Sequence, residues 1–123
     1  MVDIAAPPLR IDAHVAGSIA VAHVAGEVDL ATVDDLRTRL VALMDAPEVR
    51  ELLVDVHEVA HFDSSGMRVL VELHQLARQR GGSLTVHRPT DEVYRLLALT
   101  GLTEILIVRR APTRDEPSEP AGS

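Results

Sequence analysis

Residues 63–66 read Asp-Ser-Ser-Gly and place a carboxylate beside two hydroxyls, just ahead of apolar residues at helical spacing. Asp and Ser are preferred caps of a helix N-terminus, so Asp63, Ser64, Ser65 and Gly66 have a purely local reading. In it, their side-chain oxygens accept bonds from backbone N–H groups that would otherwise lack a partner. A second reading starts from the same helix end. The dipole and the free N–H groups there favour an anion, so a phosphate ester on a serine is tolerated by its own helix. It would still put about two negative charges on any surface docking at that point. Such chemistry blocks a partner without unfolding the carrier. The tetrapeptide also lies at a strand-to-helix turn, and loops at the carboxyl ends of parallel strands gather function.

Catalytic patterns are missing from the rest of the chain. There is no G-x-S-x-G elbow, no H-E-x-x-H, no G-x-x-x-x-G-K-[ST] phosphate loop and no G-x-G-x-x-G. The six histidines (14, 23, 57, 61, 74 and 87) are scattered singly. His57 and His61 are four apart, but on a segment that reads as strand and connection, with no third ligand in view, so no metal site is expected. His14 and His23 read as solvent-face residues. Zero cysteines remove disulfides, thiolate catalysis and thiolate metal sites together. All 12 basic residues are Arg, which excludes Schiff-base chemistry as well. No catalytic residue and no cofactor are assigned.

Charge and composition narrow the partners. The net charge of -7 repels a phosphate backbone, and Phe62 and Tyr94 are too few aromatics to stack bases, so nucleic acid is an unsuitable ligand. Apolar runs fall far short of the ~20 residues a membrane-spanning helix needs. The start MVDIAAPPLR lacks the basic stretch, apolar stretch and cleavage site of a signal peptide, so a cytoplasmic address is expected. With 123 residues, 46% of them hydrophobic and 25% charged, the chain has the size and composition of one globular domain.

Strands and helices must position the serines. Leu9, Ile11, Ala13 and Val15 alternate with Arg10, Asp12 and His14, the period of a half-buried strand. Gly17-Ser18 supplies a turn, Ile19 to Ala25 a second strand, and Gly26 its expected end, so the pair reads as a hairpin. Residues 30–45 switch to helical spacing, with Val33, Leu36, Leu40 and Leu43 on one stripe; Asp29 or Thr32 can cap the start and Pro47 limits the end. Residues 52–56, Leu-Leu-Val-Asp-Val, read as a central strand, and His57 to Phe62 as a short connection. A second helix runs from the Asp-Ser-Ser-Gly turn to about Arg80 on Val69, Leu70, Leu73, Leu76 and Ala77. Gly81-Gly82 ends it. Leu84 and Val86 mark a fourth strand. A short helix capped by Thr90 or Asp91 carries Val93, Leu96 and Leu97 to Gly101, and Ile105 to Val108 is the last strand. The order β-β-α-β-α-β-α-β implies parallel neighbours with an antiparallel first strand. Residues 1–8 read as a flexible N-terminus, 9–109 as the domain, and 110–123 as a disordered Pro-rich acidic tail.

The segment V-x-x-F-D-S-S-G-M-x-V-L, with G-E-V-D at 26–29, G-G at 81–82 and T-G-L at 100–102, resembles the STAS domain, and within it the bacterial anti-sigma factor antagonists. The resemblance spans roughly residues 9–109. It implies a STAS-type α/β fold: a β/α superhelix, mostly parallel sheet with an antiparallel N-terminal hairpin strand and helices packed on it. It also implies a partner-switching cycle. Unphosphorylated, such proteins bind an anti-sigma factor that is also a serine kinase, so the sigma factor is released. The kinase phosphorylates the first serine after the aspartate, here Ser64, and a serine phosphatase restores the active form. Asp63 and Ser65 flank that serine. Gly26, Glu27 and Asp29 match the first motif, whose loop lies near the phosphorylated serine in the family. ATP is the kinase's substrate and not a cofactor of this chain. A monomer between encounters is the implied state. The alternative within the family is a STAS subunit of a transport complex, a signalling scaffold or a small-molecule sensor.

Two positions depart from the family pattern. His61, two before the aspartate, replaces a buried apolar residue; it is expected to pack neutrally, the other reading being a pH-sensitive or phosphate-facing group. Arg68, four after Ser64, can lie near a phosphate or stand as a solvated Arg, with the solvated reading preferred. Met67 and Val71 fall beside the buried stripe, as an exposed apolar strip adjoining Ser64 or as a widened core face.

Overall fold

Alternation and helical spacing translate into nine elements in a computed structural model, which describes residues 8–110. They are β1 (Leu9–Ala16), β2 (Ile19–Val28), α1 (Val33–Met44), β3 (Glu51–Phe62), α2 (Ser64–Gln79), β4 (Ser83–His87), α3 (Asp91–Leu99), a 3-10 turn (Leu102–Glu104) and β5 (Ile107–Arg109). The five strands lie in the order β1-β2-β3-β4-β5. β1 is antiparallel to β2 and every later pair is parallel, the predicted hairpin followed by crossovers. The segments read as flexible N-terminus and tail lie outside the described residues, except Pro8 and Arg110. Arg110 joins the domain: its guanidinium sits 4.1 Å over the Tyr94 ring and pairs with Asp91.

One core supports the sheet. Ala20, Ala22 and Val24 of β2, Leu52, Val54 and Val56 of β3, and Leu84 and Val86 of β4 are buried together with Val33, Leu36 and Leu40 of α1 and Val69, Leu70 and Leu73 of α2. Burying the valines and leucines among them contributes roughly 1.5–3 kcal/mol each, offset by the entropy of ordering them. In α1 it is Met44, not Leu43, that completes the buried stripe, and in α2 His74 is buried where Leu76 stays half-exposed.

The structure corrects four boundaries. β2 does not stop at Gly26: the glycine takes φ 102°, the register slips, and the strand continues to Val28. β3 does not give way to a connection after Val56 but runs to Phe62. Register shifts against β2 leave Val56, Val59 and Phe62 buried with two exposed residues between each, a spacing that hides a strand from a period-two reading. α1 begins at Val33 instead of residue 30, leaving Leu30 in the loop. The last strand begins at Ile107 because Leu102–Glu104 form a 3-10 turn after Gly101, whose φ of 80° ends α3.

Candidate functional site

The Asp-Ser-Ser-Gly turn forms where β3 hands over to α2. Asp63 is the N-cap, its Oδ1 accepting from the Ser65 amide at 2.9 Å, while the amides of Gly66 and Met67 bond the Asp63 carbonyl at 3.1 and 3.2 Å. The local capping reading therefore holds for Asp63. Ser64 is exposed, Ser65 half-buried and Gly66 buried. A Cβ at Gly66 would stand 2.6 Å from Val28 Cγ1 and 3.0 Å from Phe62 Cζ, so glycine lets the first turn of α2 press on the ends of β2 and β3.

The Gly26–Asp29 motif is brought to the same end of the sheet. Glu27 pairs with His61 and Val28 with Phe62 in the β2–β3 ladder, and the Asp63 amide donates to the Val28 carbonyl at 3.2 Å. This loop is braced from within. Thr32, only 6% exposed, donates through Oγ1 to the Glu27 carbonyl at 2.9 Å and accepts from the Asp29 amide at 3.1 Å. Asp29 Oδ1 in turn accepts from the amides of Ala31 and Thr32 at 3.0 and 3.2 Å. Helix capping was the role read for Thr32, and for Asp29 capping beside its place in the first motif; the brace follows from the D-x-x-T spacing, which suits an Asx turn. The Glu27 side chain is left exposed beside it.

One flanking residue differs from the sequence reading, and two settle an open choice in favour of a widened core face. His61 does not pack into the interior: the register shifts in β3 turn it outward, and it is exposed opposite Glu27. Met67 does not form an exposed strip with Val71. It is 9% exposed and belongs to the core, with its Sδ 3.7 Å from Oγ1 of Thr100, the C-cap of α3. Val71 is half-buried against the core. Arg68 is exposed and makes no ion pair among the described residues, consistent with the solvated reading. The most exposed large apolar groups are Leu30, 81% exposed just after Asp29, and Leu99, 78% exposed on α3. Leu99 edges a depression of about 180 Å³ lined by Ala60, Phe62, Val93 and Leu96, which starts one residue before Asp63. Leu30 stands in the loop before α1 and Leu99 lies off the buried stripe of α3.

A second polar cluster occupies the sheet face opposite the buried alternation. Asp12, His23, Asp55, His87 and Arg109 are consecutive partners across all five strands. Asp55 is 5% exposed. Its Oδ1 accepts from the His57 amide at 3.0 Å, and its Oδ2 takes Arg88 Nε and Nη2 at 3.1 and 2.8 Å and His23 Nδ1 at 3.2 Å. Burial by itself raises the Asp55 carboxyl; the His57 amide, Arg88 and His23 outweigh it and hold the group below its ordinary range. His14 stacks on His23 with ring centroids 5.8 Å apart. No group of three or more acidic or histidine side chains among the described residues is placed to hold a metal ion.

An exposed serine on a capped helix thus lies beside a braced loop at the carboxyl ends of β2 and β3 in a fold of the β/α type. The STAS domain family model matches residues 10–117, and the chain belongs to that family. It is 32% identical over 84 residues to the anti-sigma-B factor antagonist of Bacillus subtilis (strain 168), covering 68% of this chain and 75% of that one. Among solved structures, Bacillus SpoIIAA, an anti-sigma factor antagonist solved in unphosphorylated and phosphorylated forms, superposes in its unphosphorylated form with a TM-score of 0.68 at 17% identity, over 87% of this chain and 90% of that one. An anti-sigma factor antagonist from Mycobacterium paratuberculosis superposes with a TM-score of 0.71 at 22% identity, over 91% and 93%.

Proposed function

We propose that the chain is an anti-sigma factor antagonist switched at Ser64. Unphosphorylated, it binds an anti-sigma factor that is also a serine kinase, so the sigma factor is freed. Phosphate on Ser64 ends the contact, and a serine phosphatase reverses it. The carrying observation is the exposed Ser64 at the first residue of α2, with its neighbours Asp63 and Gly66 fixed by backbone bonds and packing. A kinase meets an accessible hydroxyl on a rigid mount, and the added charge lands on the docking surface instead of in the core. Asp63, Ser65, Gly66, Arg68, Gly26, Glu27 and Asp29 are assigned with Ser64 to the docking surface, and Leu30 and Leu99 to the apolar contacts that Met67 does not offer. Val71 contributes at most its exposed edge. The relatives named anti-sigma factor antagonists support the role. No helix among the described residues is long and apolar enough to cross a membrane, which suits a cytoplasmic partner-switching protein.

The test uses wild type, Ser64→Ala and Ser64→Asp as baits in host lysate, with mass spectrometry and phosphate incorporation as readouts. Wild type and Ser64→Ala retain an ATP-binding anti-sigma factor; Ser64→Asp loses on the order of 10²-fold in affinity, since a charge is buried unpaired at the seam. Only wild type takes up phosphate. Capture of the same partners by all three baits, or of transporter subunits, rejects the switch in favour of a STAS subunit of another assembly.

A further inference from the structure

β1 forms one edge of the sheet and has no strand beyond it among the described residues. Its hairpin closes on the pair Ala16↔Ile19 through the two residues Gly17 and Ser18. In an antiparallel ladder so closed, Ala16, His14, Asp12 and Arg10 spend their backbone groups on β2, while Val15, Ala13, Ile11 and Leu9 turn theirs outward. The Arg39 guanidinium confirms the phase by donating to the outward Ile11 carbonyl at 3.1 Å. The outward edge is apolar on the side facing α1. Ile11 and Ala13 line a depression of about 310 Å³ with Arg39, Ala42 and Leu43, and Val15 is 41% exposed. Its opposite side carries Arg10, Asp12 and His14, all exposed.

We propose that this edge pairs with β1 of a second copy of the chain, antiparallel and centred on Ala13, to give a continuous ten-stranded sheet. The side chains are self-complementary in that register. Asp12 faces His14 of the second copy and His14 faces its Asp12, while Ile11 and Val15 face each other across the apolar side. Centring on Asp12 sets two carboxylates face to face. Centring on Ile11 leaves Val15 in water. Arg39 does not obstruct the pairing, since a carbonyl oxygen accepts two bonds. The two-fold axis reverses the second sheet, so the two Ser64 turns point to opposite ends, clear of the seam. The inference is independent of the switch, and it replaces the monomer that family resemblance implies.

Cysteine is absent from the chain, so a single introduced thiol reports the seam directly. Two Ala13 Cα atoms in a hydrogen-bonded pair stand about 5.5 Å apart, within disulfide reach. Oxidised Ala13→Cys runs as a covalent dimer, and a control Ser18→Cys at the hairpin tip does not. Sedimentation velocity of the full chain shows concentration-dependent dimer. His14→Glu, which faces Asp12 with a like charge, weakens it about tenfold, and Asp12→Lys combined with His14→Glu restores it. Wild type that stays monomeric at about 1 mM, equal cross-linking at residues 13 and 18, or a dimer indifferent to His14→Glu overturns the proposal.

Discussion

Two aspartates eight residues apart, Asp55 within β3 and Asp63 just past its end, have opposite surroundings. Asp55 is buried and accepts from His57, Arg88 and His23 with both oxygens. Asp63 is half-buried and spends one oxygen on the Ser65 amide. The richer network is the one remote from Ser64. A carboxylate with both oxygens engaged by three neighbouring residues holds strands together and has little left for a visitor; a sparsely committed one beside an exposed hydroxyl is open to a second molecule. Hydrogen-bond saturation separates the scaffold from the site better than the number of charged residues does.

The contrast is broken most severely at Asp55. Asp55→Ala strands Arg88 and the His57 amide and costs about 2–3 kcal/mol, lowering Tm by roughly 10 °C or more in a domain of this size. Phosphate uptake at Ser64, measured below the new melting range, stays near wild type. The same carboxyl sets an acid limb. Its folded pKa lies below the unfolded one, so its contribution is complete above the unfolded carboxylate value and is lost as pH falls through the folded value. Thermal melts from pH 7 down to about 3 therefore bring wild type and Asp55→Asn together at the acid end. If their difference stayed constant, Asp55 would not be the group responsible.

Gly66→Ala joins the two regions, because the new methyl strikes Val28 and Phe62. A cost of about 1–2 kcal/mol by denaturant titration is expected, and, unlike Asp55→Ala, a fall in phosphate uptake by the folded protein. Asp63→Ala loses a cap worth about 1 kcal/mol and also depresses kinase capture, inverting the Asp55 pattern: small in stability, large in binding. The smallest effect is a gain. His74 is 7% exposed with its Nδ1 buried and unpartnered, so His74→Leu raises stability by about 0.5–1 kcal/mol in the same titration.

Much of this was readable in the residues. Element order and the antiparallel first strand followed from alternation, helical spacing and glycine punctuation, and the Asp63 cap followed from residue type. What stayed hidden depends on contacts between segments. The last six residues of β3 lose their period because of bulges against β2, and that loss also turns His61 outward. Met67 sits on the flank of α2, and its burial in the core beside Thr100 is a contact between distant segments. Thr32 looks like an ordinary cap until the Glu27 carbonyl comes within its reach.

The strand order β1-β2-β3-β4-β5 has a consequence for how the molecule is made. Each strand pairs with the one synthesised just before it, so no segment waits for a distant partner and the loops to be closed are short. The sheet can lengthen strand by strand as the chain leaves the ribosome, with the β1–β2 hairpin as its seed and the three-residue β5 as its last addition. A nascent chain released through Gln79 already carries β1, β2, β3, both helices that cover them and the serine turn between β3 and α2.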